Sequence, residues 1–327
     1  MIEPDERLED QETRTYLRDA QERAHQSAQE GAHASAAAAW PPLARFIAAD
    51  ARLGAAAAAR GPLTLAAYEF LRFGLKQGWA CLFGAILLGL LILTYWAYPT
   101  AAPLTRYDFL FITAVAVQIV MLRLRLETLD EAKVILIFHV IGTIMEVHKT
   151  AIGSWTYPEA SLFRIGGVPL FTGFMYAAVG SYLARVWRLF DFQFTRHPSL
   201  PALAVLSGAT YVNFMTNHRE PDIRVGLILA AALLFARTTV YFKVWRTHRH
   251  MPLLLGLTLV ALFIWFAENI STATGTWLYP SQRLQWSLVP VSKLTSWFLL
   301  MIISYTLVAW VNRLSTFGIG RMSARRP

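Results

Sequence analysis

Eight mostly apolar stretches, each near twenty residues long, govern what this chain can fold into. They lie at about 74–97, 107–124, 132–150, 168–187, 199–217, 223–243, 251–270 and 288–311. A helix of about 20 residues covers a hydrocarbon core roughly 30 Å thick, and in lipid a helix satisfies its own backbone polar groups. The expectation is an all-α polytopic membrane protein with eight transmembrane helices. A chain that is 55% hydrophobic and only 16% charged is also too apolar for a soluble protein of this length.

The net charge of +9 would suggest nucleic acid in a soluble chain, but here the arginines cluster between apolar stretches, which is a topology signal. With eight crossings both termini share a side. That side carries Arg72, Lys76, Arg123, Arg125, Lys133, Arg185, Arg188, Arg196, Lys243, Arg246 and Arg249, with more arginines in the C-terminal tail. The other side has fewer, among them Arg106, Lys149, Arg164, Arg224 and Lys293. The positive-inside rule therefore puts both termini in the cytoplasm. Residues 1–66 are polar, then alanine-rich, and are read as a poorly ordered cytoplasmic tail with helical tendency, not a signal peptide. Residues 313–327 form a basic tail. The single cysteine, Cys81, excludes an intramolecular disulfide and any cysteine metal site.

GSWTYPE at 153–159 and GTWLYPS at 275–281 are written alike. At an offset of 122, Glu146 meets Glu268, Thr150 meets Thr272, Gly153 meets Gly275, Trp155 meets Trp277, Tyr157 meets Tyr279 and Pro158 meets Pro280. At 121, Val168-Pro169 meets Val289-Pro290, and at 114, Asp108 and Arg123 meet Asp222 and Arg237. The expected architecture is two parallel four-helix repeats, 67–195 and 196–312, related by a pseudo-two-fold axis along the membrane normal.

An intramembrane carboxylate is costly and usually faces protein or a water-filled cavity, so Glu146 and Glu268 are the candidate catalytic groups. His139, Thr143, Glu146 and Thr150 follow helical spacing along one stripe, and His139 is the candidate assistant. Trp155, Tyr157, Trp277, Tyr279, Thr150, Thr272 and Asn213 are the candidate substrate-binding residues. The alternative is structural: each glutamate lies within two turns of a helix end and could be an interfacial group bonded to its nearby threonine. Glycine at a helix end, proline after it and aromatics at the membrane boundary likewise have architectural explanations. TLDE at 128–131 reads as a capping box. Asp108 and Asp222 suit the positive ends of helix dipoles. His139 and Glu146 are too sparse a set for a metal, so neither metal nor cofactor is expected.

The segments LETLDEAKVILIFHVIGTIMEVHKTAIGSWTYPE, RIGGVPLFTGFMYAAVGSYLARVWRLFD and FIWFAENISTATGTWLYP resemble the YoaT-like bacterial membrane family known as domain of unknown function 817, over about residues 67–312. The order Glu146, Gly153, Trp155, Tyr157 and Gly167 to Leu170 is similar to that in integral-membrane carotenoid hydratases and small lycopene cyclases. That similarity implies acid–base chemistry on an isoprenoid without a redox cofactor. The cyclases carry carboxylates just after the proline, where this chain has Leu170, Phe171 and Thr172. The expected ligand is a membrane lipid or isoprenoid, with no nucleic acid, and a second copy of the chain is a candidate partner. A proton- or cation-coupled transporter and a non-catalytic assembly factor are the alternatives.

Overall fold

The computed structural model describes residues 41–218 and 221–323. The chain divides into two units, Met1–Leu71 and Arg72–Pro327. In the first, α1 (Pro41–Arg60) breaks at Gly61, whose φ of 127° suits only glycine, and α2 (Pro62–Ala80) begins there and runs on into the second. Tyr68 donates to the Asp50 side chain at 2.8 Å. The described part of the expected tail, from 41 to 66, is helical on either side of Gly61, in line with the helical tendency of its alanines. Residues 1–40 lie outside the described residues.

The second unit continues with α3 (Leu82–Ala97), α4 (Arg106–Arg123), α5 (Leu129–Ala151), α6 (Phe171–Phe190), α7 (Leu200–Thr216), α8 (Arg224–Phe235), α9 (Leu253–Ala273) and α10 (Lys293–Ser323). The chain is mostly helical. Among the described residues, three helices are long and apolar enough to cross a membrane: α5, α9 and the Lys293–Val311 part of α10. A fourth candidate is the pair α2 and α3, bent by 68° at Cys81. The stretch expected as one span at 223–243 is divided between the short apolar helix α8 and a strand.

Among the described residues, five short strands depart from the all-α expectation. β1 (Arg164–Ile165) and β2 (Val168–Pro169) form a small hairpin before α6. β3 (Gln193–Thr195), β4 (Thr239–Lys243) and β5 (His248–Pro252) form an antiparallel sheet at the opposite helix ends. Val240, Tyr241 and Phe242 favour a pleated strand, so the chain leaves the helix there and turns back toward α9.

Helix boundaries follow from local chemistry. Thr128 and Glu131 make the expected capping box at the start of α5. At its end Gly153 is left-handed, with Ser154 N bonded to Lys149 O and Gly153 N to Thr150 O. Gly275, Thr276, Ser271 and Thr272 repeat that cap at the end of α9. The outward residues of α9, Leu255, Leu259, Phe263, Phe266 and Ile270, are exposed apolar groups along one helical face. Its inward face is Ala261, Trp265, Glu268 and Thr272, all buried. Apolar outside and polar within is the pattern of a helix that meets lipid on one side.

Candidate functional site

The site lies where the loops after α5 and α9 fold back over the helix ends. Glu146 on α5 is 4% exposed and Glu268 on α9 is 3% exposed. One Glu146 oxygen, Oε2, accepts from Trp155 Nε1 at 2.7 Å and from the Tyr157 hydroxyl at 2.5 Å, while Oε1 accepts from the Tyr176 hydroxyl at 2.7 Å. Glu268 Oε1 accepts from the Tyr279 hydroxyl at 2.5 Å, and its Oε2 from Trp297 Nε1 at 2.6 Å. Each carboxyl is therefore held by the aromatic loop that follows its own helix and by the next helix, α6 or α10.

The two loops also hold each other. Thr156 and Leu278 exchange backbone hydrogen bonds in both directions, each at 3.0 Å, as an isolated antiparallel bridge. These residues are 122 apart, the offset that aligns the two GxWxYP elements. The Trp155 ring meets the Tyr279 ring edge-on at 6.1 Å, so the first loop's tryptophan packs on the second loop's tyrosine. Tyr157 and Tyr279 are both buried beside carboxyls, and burial followed by that neighbouring charge pushes their hydroxyls well above the ordinary phenol range. Both stay neutral at physiological pH and remain hydrogen-bonding groups.

The other predicted residues are placed as follows. His139 lies two turns from Glu146, ring against Phe174 at 4.5 Å and close to Gly173, and its Nδ1 is buried without a partner. The structure does not join it to either carboxyl by a hydrogen bond. Thr150 Oγ1 is also buried and unpartnered, while Thr272 accepts from Trp286 Nε1 at 3.2 Å. Neither threonine bonds its glutamate. Trp277 is buried beside the Tyr279 hydroxyl. Asn213 is separate from the glutamates: it donates to Asp222 at 3.1 Å and accepts from Ile223 N at 3.0 Å, which clips α7 to α8. Asp108 accepts from Ser161 and from Leu162 N and Phe163 N, tying the loop before β1 to α4. Among the described residues no group of three His, Cys, Asp or Glu side chains could hold a metal ion.

The model of a family described as protein of unknown function (DUF817) matches residues 69–305. The chain belongs to that family. It is 43% identical over 241 residues to the Bacillus subtilis (strain 168) protein YoaT, a match covering 74% of this chain and 90% of YoaT. Among solved structures, that of a cross-linked MvINS trimer covers 57% of this chain and 95% of its own, at 13% identity and a TM-score of 0.41. Both glutamates and all their partners lie inside the stretch matched to DUF817.

Sequence reasoning missed two of those partners in this DUF817 protein, Tyr176 and Trp297. Both were within reach of it. They are 121 apart, the offset that already paired Val168-Pro169 with Val289-Pro290. Their side chains differ, so an identity search passes over them, yet both supply one N–H or O–H donor to the equivalent carboxyl.

Proposed function

We propose that this DUF817 protein is a polytopic inner-membrane protein with eight crossings in two parallel four-helix halves, 67–195 and 196–312, and both termini cytoplasmic. In this reading it binds a membrane lipid, an isoprenoid being the leading candidate, and Glu146 and Glu268 do acid–base chemistry on it. One observation carries the reading: two buried glutamates, each paired with a tyrosine hydroxyl, stand on either side of loops that bridge to one another through Thr156 and Leu278. A tyrosine hydroxyl can donate or accept, so it can hold a proton against a carboxyl and also stabilise the carboxylate left when that proton departs. Transfer to an isoprenoid double bond breaks the acid O–H and forms a C–H bond. The resulting carbocation is quenched by water or by loss of a different proton, which a carboxylate accepts.

The test is lipid and pigment profiling of cells that lack the gene, carry it, or carry the Glu146→Gln, Glu268→Gln double variant. A substrate lipid should accumulate in the deletion and in the double variant alike. Identical profiles in all three strains would sink the enzyme reading. A second reading is favoured by the burial of both carboxyls, each beside a tyrosine hydroxyl: the glutamates hold a proton or cation for coupled transport. Liposomes containing the protein should then show proton flux that the same double variant abolishes.

A further inference from the structure

α2 and α3 together hold enough apolar sequence for one crossing, but they are bent by 68° at Cys81, so only one of them can stand upright in a membrane. α3 carries the markers of the upright one. Its 16 residues rise about 24 Å, most of a hydrocarbon core roughly 30 Å thick. Exposed tryptophans stand at both of its ends, Trp79 just before the bend and Trp96 in its last turn, and such side chains favour the membrane–water boundary.

The last turns of α2 are tied down where other elements stop. Lys76 Nζ donates to Leu189 O, in the final turn of α6, and to Lys243 O, at the end of β4, each at 2.8 Å. Arg185 Nη1 donates to Trp79 O at 3.1 Å, and the Tyr182 hydroxyl to Gln77 Oε1 at 3.0 Å. The Phe73 ring lies 5.5 Å from that of Phe190 and 5.8 Å from that of Phe242. Phe73, Lys76, Gln77 and Ala80 are therefore the stripe that meets protein, at helical spacing. The opposite stripe holds Leu63, Phe70, Leu71, Gly74, Leu75 and Gly78, all exposed and none charged. The charged residues of α2, Glu69, Arg72 and Lys76, are buried or half-buried. A helix on a water-facing surface turns its charges outward; α2 does the reverse, as α9 does.

We propose that α2 is no part of a crossing: it lies along the membrane boundary with its apolar stripe sunk among the acyl chains of one leaflet, and α3 alone makes the first crossing. This rests on the multi-span reading above, under which the leaflet is the cytoplasmic one, and it narrows the crossing expected at 74–97 to 82–97. With α3 along the membrane normal, the bend leaves α2 about 22° from the membrane plane (90° less 68°). Its last turn, bonded at the ends of α6 and β4, then sits at the level where the crossing helices stop. The occupant of the stripe is lipid because the apolar surface runs on through Trp79 into the exposed Ile92 and Leu93 of α3, the face that a crossing helix turns to the bilayer.

The single cysteine makes the test direct. In a Cys81→Ser background, the full-length protein carries one nitroxide label at a time through Leu63→Cys, Leu71→Cys or Leu75→Cys, with Phe263→Cys on α9 as the control. In nanodiscs of phosphatidylcholine and phosphatidylglycerol, the label's access to oxygen against a water-soluble nickel chelate reads its depth. All three α2 labels should favour oxygen, and positions 63 and 75 should differ in depth by about 7 Å or less, the tilt component of an 18 Å rise at ~1.5 Å per residue. A difference near ~18 Å between those positions would overturn the proposal in favour of an upright helix. Preference for the nickel chelate at all three would overturn it in favour of a water-facing helix. Exclusion of both reagents, with dipolar broadening between labels, would overturn it in favour of a second copy of the chain on the stripe. The control separates the two failures: a Phe263→Cys label in lipid beside α2 labels in water sinks only the placement of α2. A Phe263→Cys label in water sinks the membrane reading and this proposal with it.

Discussion

The Glu146 and Glu268 sites are built on the same plan and finished differently. Around Glu146 there are three donors, Trp155, Tyr157 and Tyr176. Around Glu268 there are two, Tyr279 and Trp297, because Trp277 approaches the Tyr279 hydroxyl where Trp155 bonds the carboxyl itself. The second site has instead a cation in reach: Lys293 stands 121 residues after Thr172, at the corresponding place on α10. Thr172 only closes its own helix start, donating to Pro169 O at 2.9 Å. One site is thus saturated with neutral donors, and the other pairs fewer donors with a charge. Two sites written with the same motif thus differ in their electrostatic surroundings.

The largest expected effect comes from removing the carboxyls. Glu146→Leu strands the buried donors of Trp155 and Tyr157 and the half-buried Tyr176, Glu268→Leu strands the buried Tyr279 and the half-buried Trp297, and each unsatisfied buried group costs about 1–3 kcal/mol. Thermal unfolding in detergent should therefore rank Glu146→Leu below Glu268→Leu, both well below wild type. Equal losses would break the distinction between a saturated and an unsaturated site.

A smaller effect tests how the first site is positioned. Gly142 on α5 lets Tyr176 pack directly on the helix backbone; a Cβ there would stand 2.6 Å from the tyrosine ring. Close helix approach at small residues is a common device in membranes. Gly142→Ala should cost about 1–3 kcal/mol through overpacking and push the Tyr176 hydroxyl away from Glu146. The corresponding position on α9 is Ile264, so the second site has no such dependence and Ile264→Ala should cost about as much as an ordinary partly buried truncation. If Gly142→Ala leaves stability unchanged, Tyr176 is held by something other than this contact.

Much of this comparison could be read from the residues before any coordinates. The stripe through Ala261, Trp265, Glu268 and Thr272 matched the buried face of α9, whereas on α5 the stripe His139, Thr143, Glu146 and Thr150 flanks the buried row Phe138, Gly142, Met145 and Lys149. The capping box at Thr128 and the left-handed glycines at 153 and 275 were equally local and equally legible. What local pattern could not supply was pairing across the chain. The Thr156–Leu278 bridge, the donors from Tyr176 and Trp297, and the diversion of Asn213 to Asp222 all depend on which elements meet. Periodicity also misjudged residues 239–243, where an apolar run continuous with α8 is a strand paired on both sides. Short apolar runs do not distinguish strand from helix, and here the β-branched and aromatic residues decided it.

The smallest expected effect sharpens the comparison most. Lys293 Nζ lies 4.4 Å from the Tyr279 ring centroid and 6.0 Å from that of Trp155, and Glu268 is the carboxyl it feels. Lys293→Met keeps the aliphatic stem against those rings and removes only the charge, so the direct loss is about 0.5–1 kcal/mol from the cation–aromatic contact. The informative quantity is the coupling to each glutamate. In a double-mutant cycle, Lys293→Met combined with Glu268→Gln should be non-additive, because removing either charge alone already abolishes their attraction. The same change combined with Glu146→Gln should be additive within about 0.3–0.5 kcal/mol, the tolerance for independent sites. Coupling of equal size to both glutamates would show that Lys293 serves one merged site around the Thr156–Leu278 bridge. The second carboxyl would then be no more charged in its surroundings than the first, and the electrostatic difference between the two sites would fail.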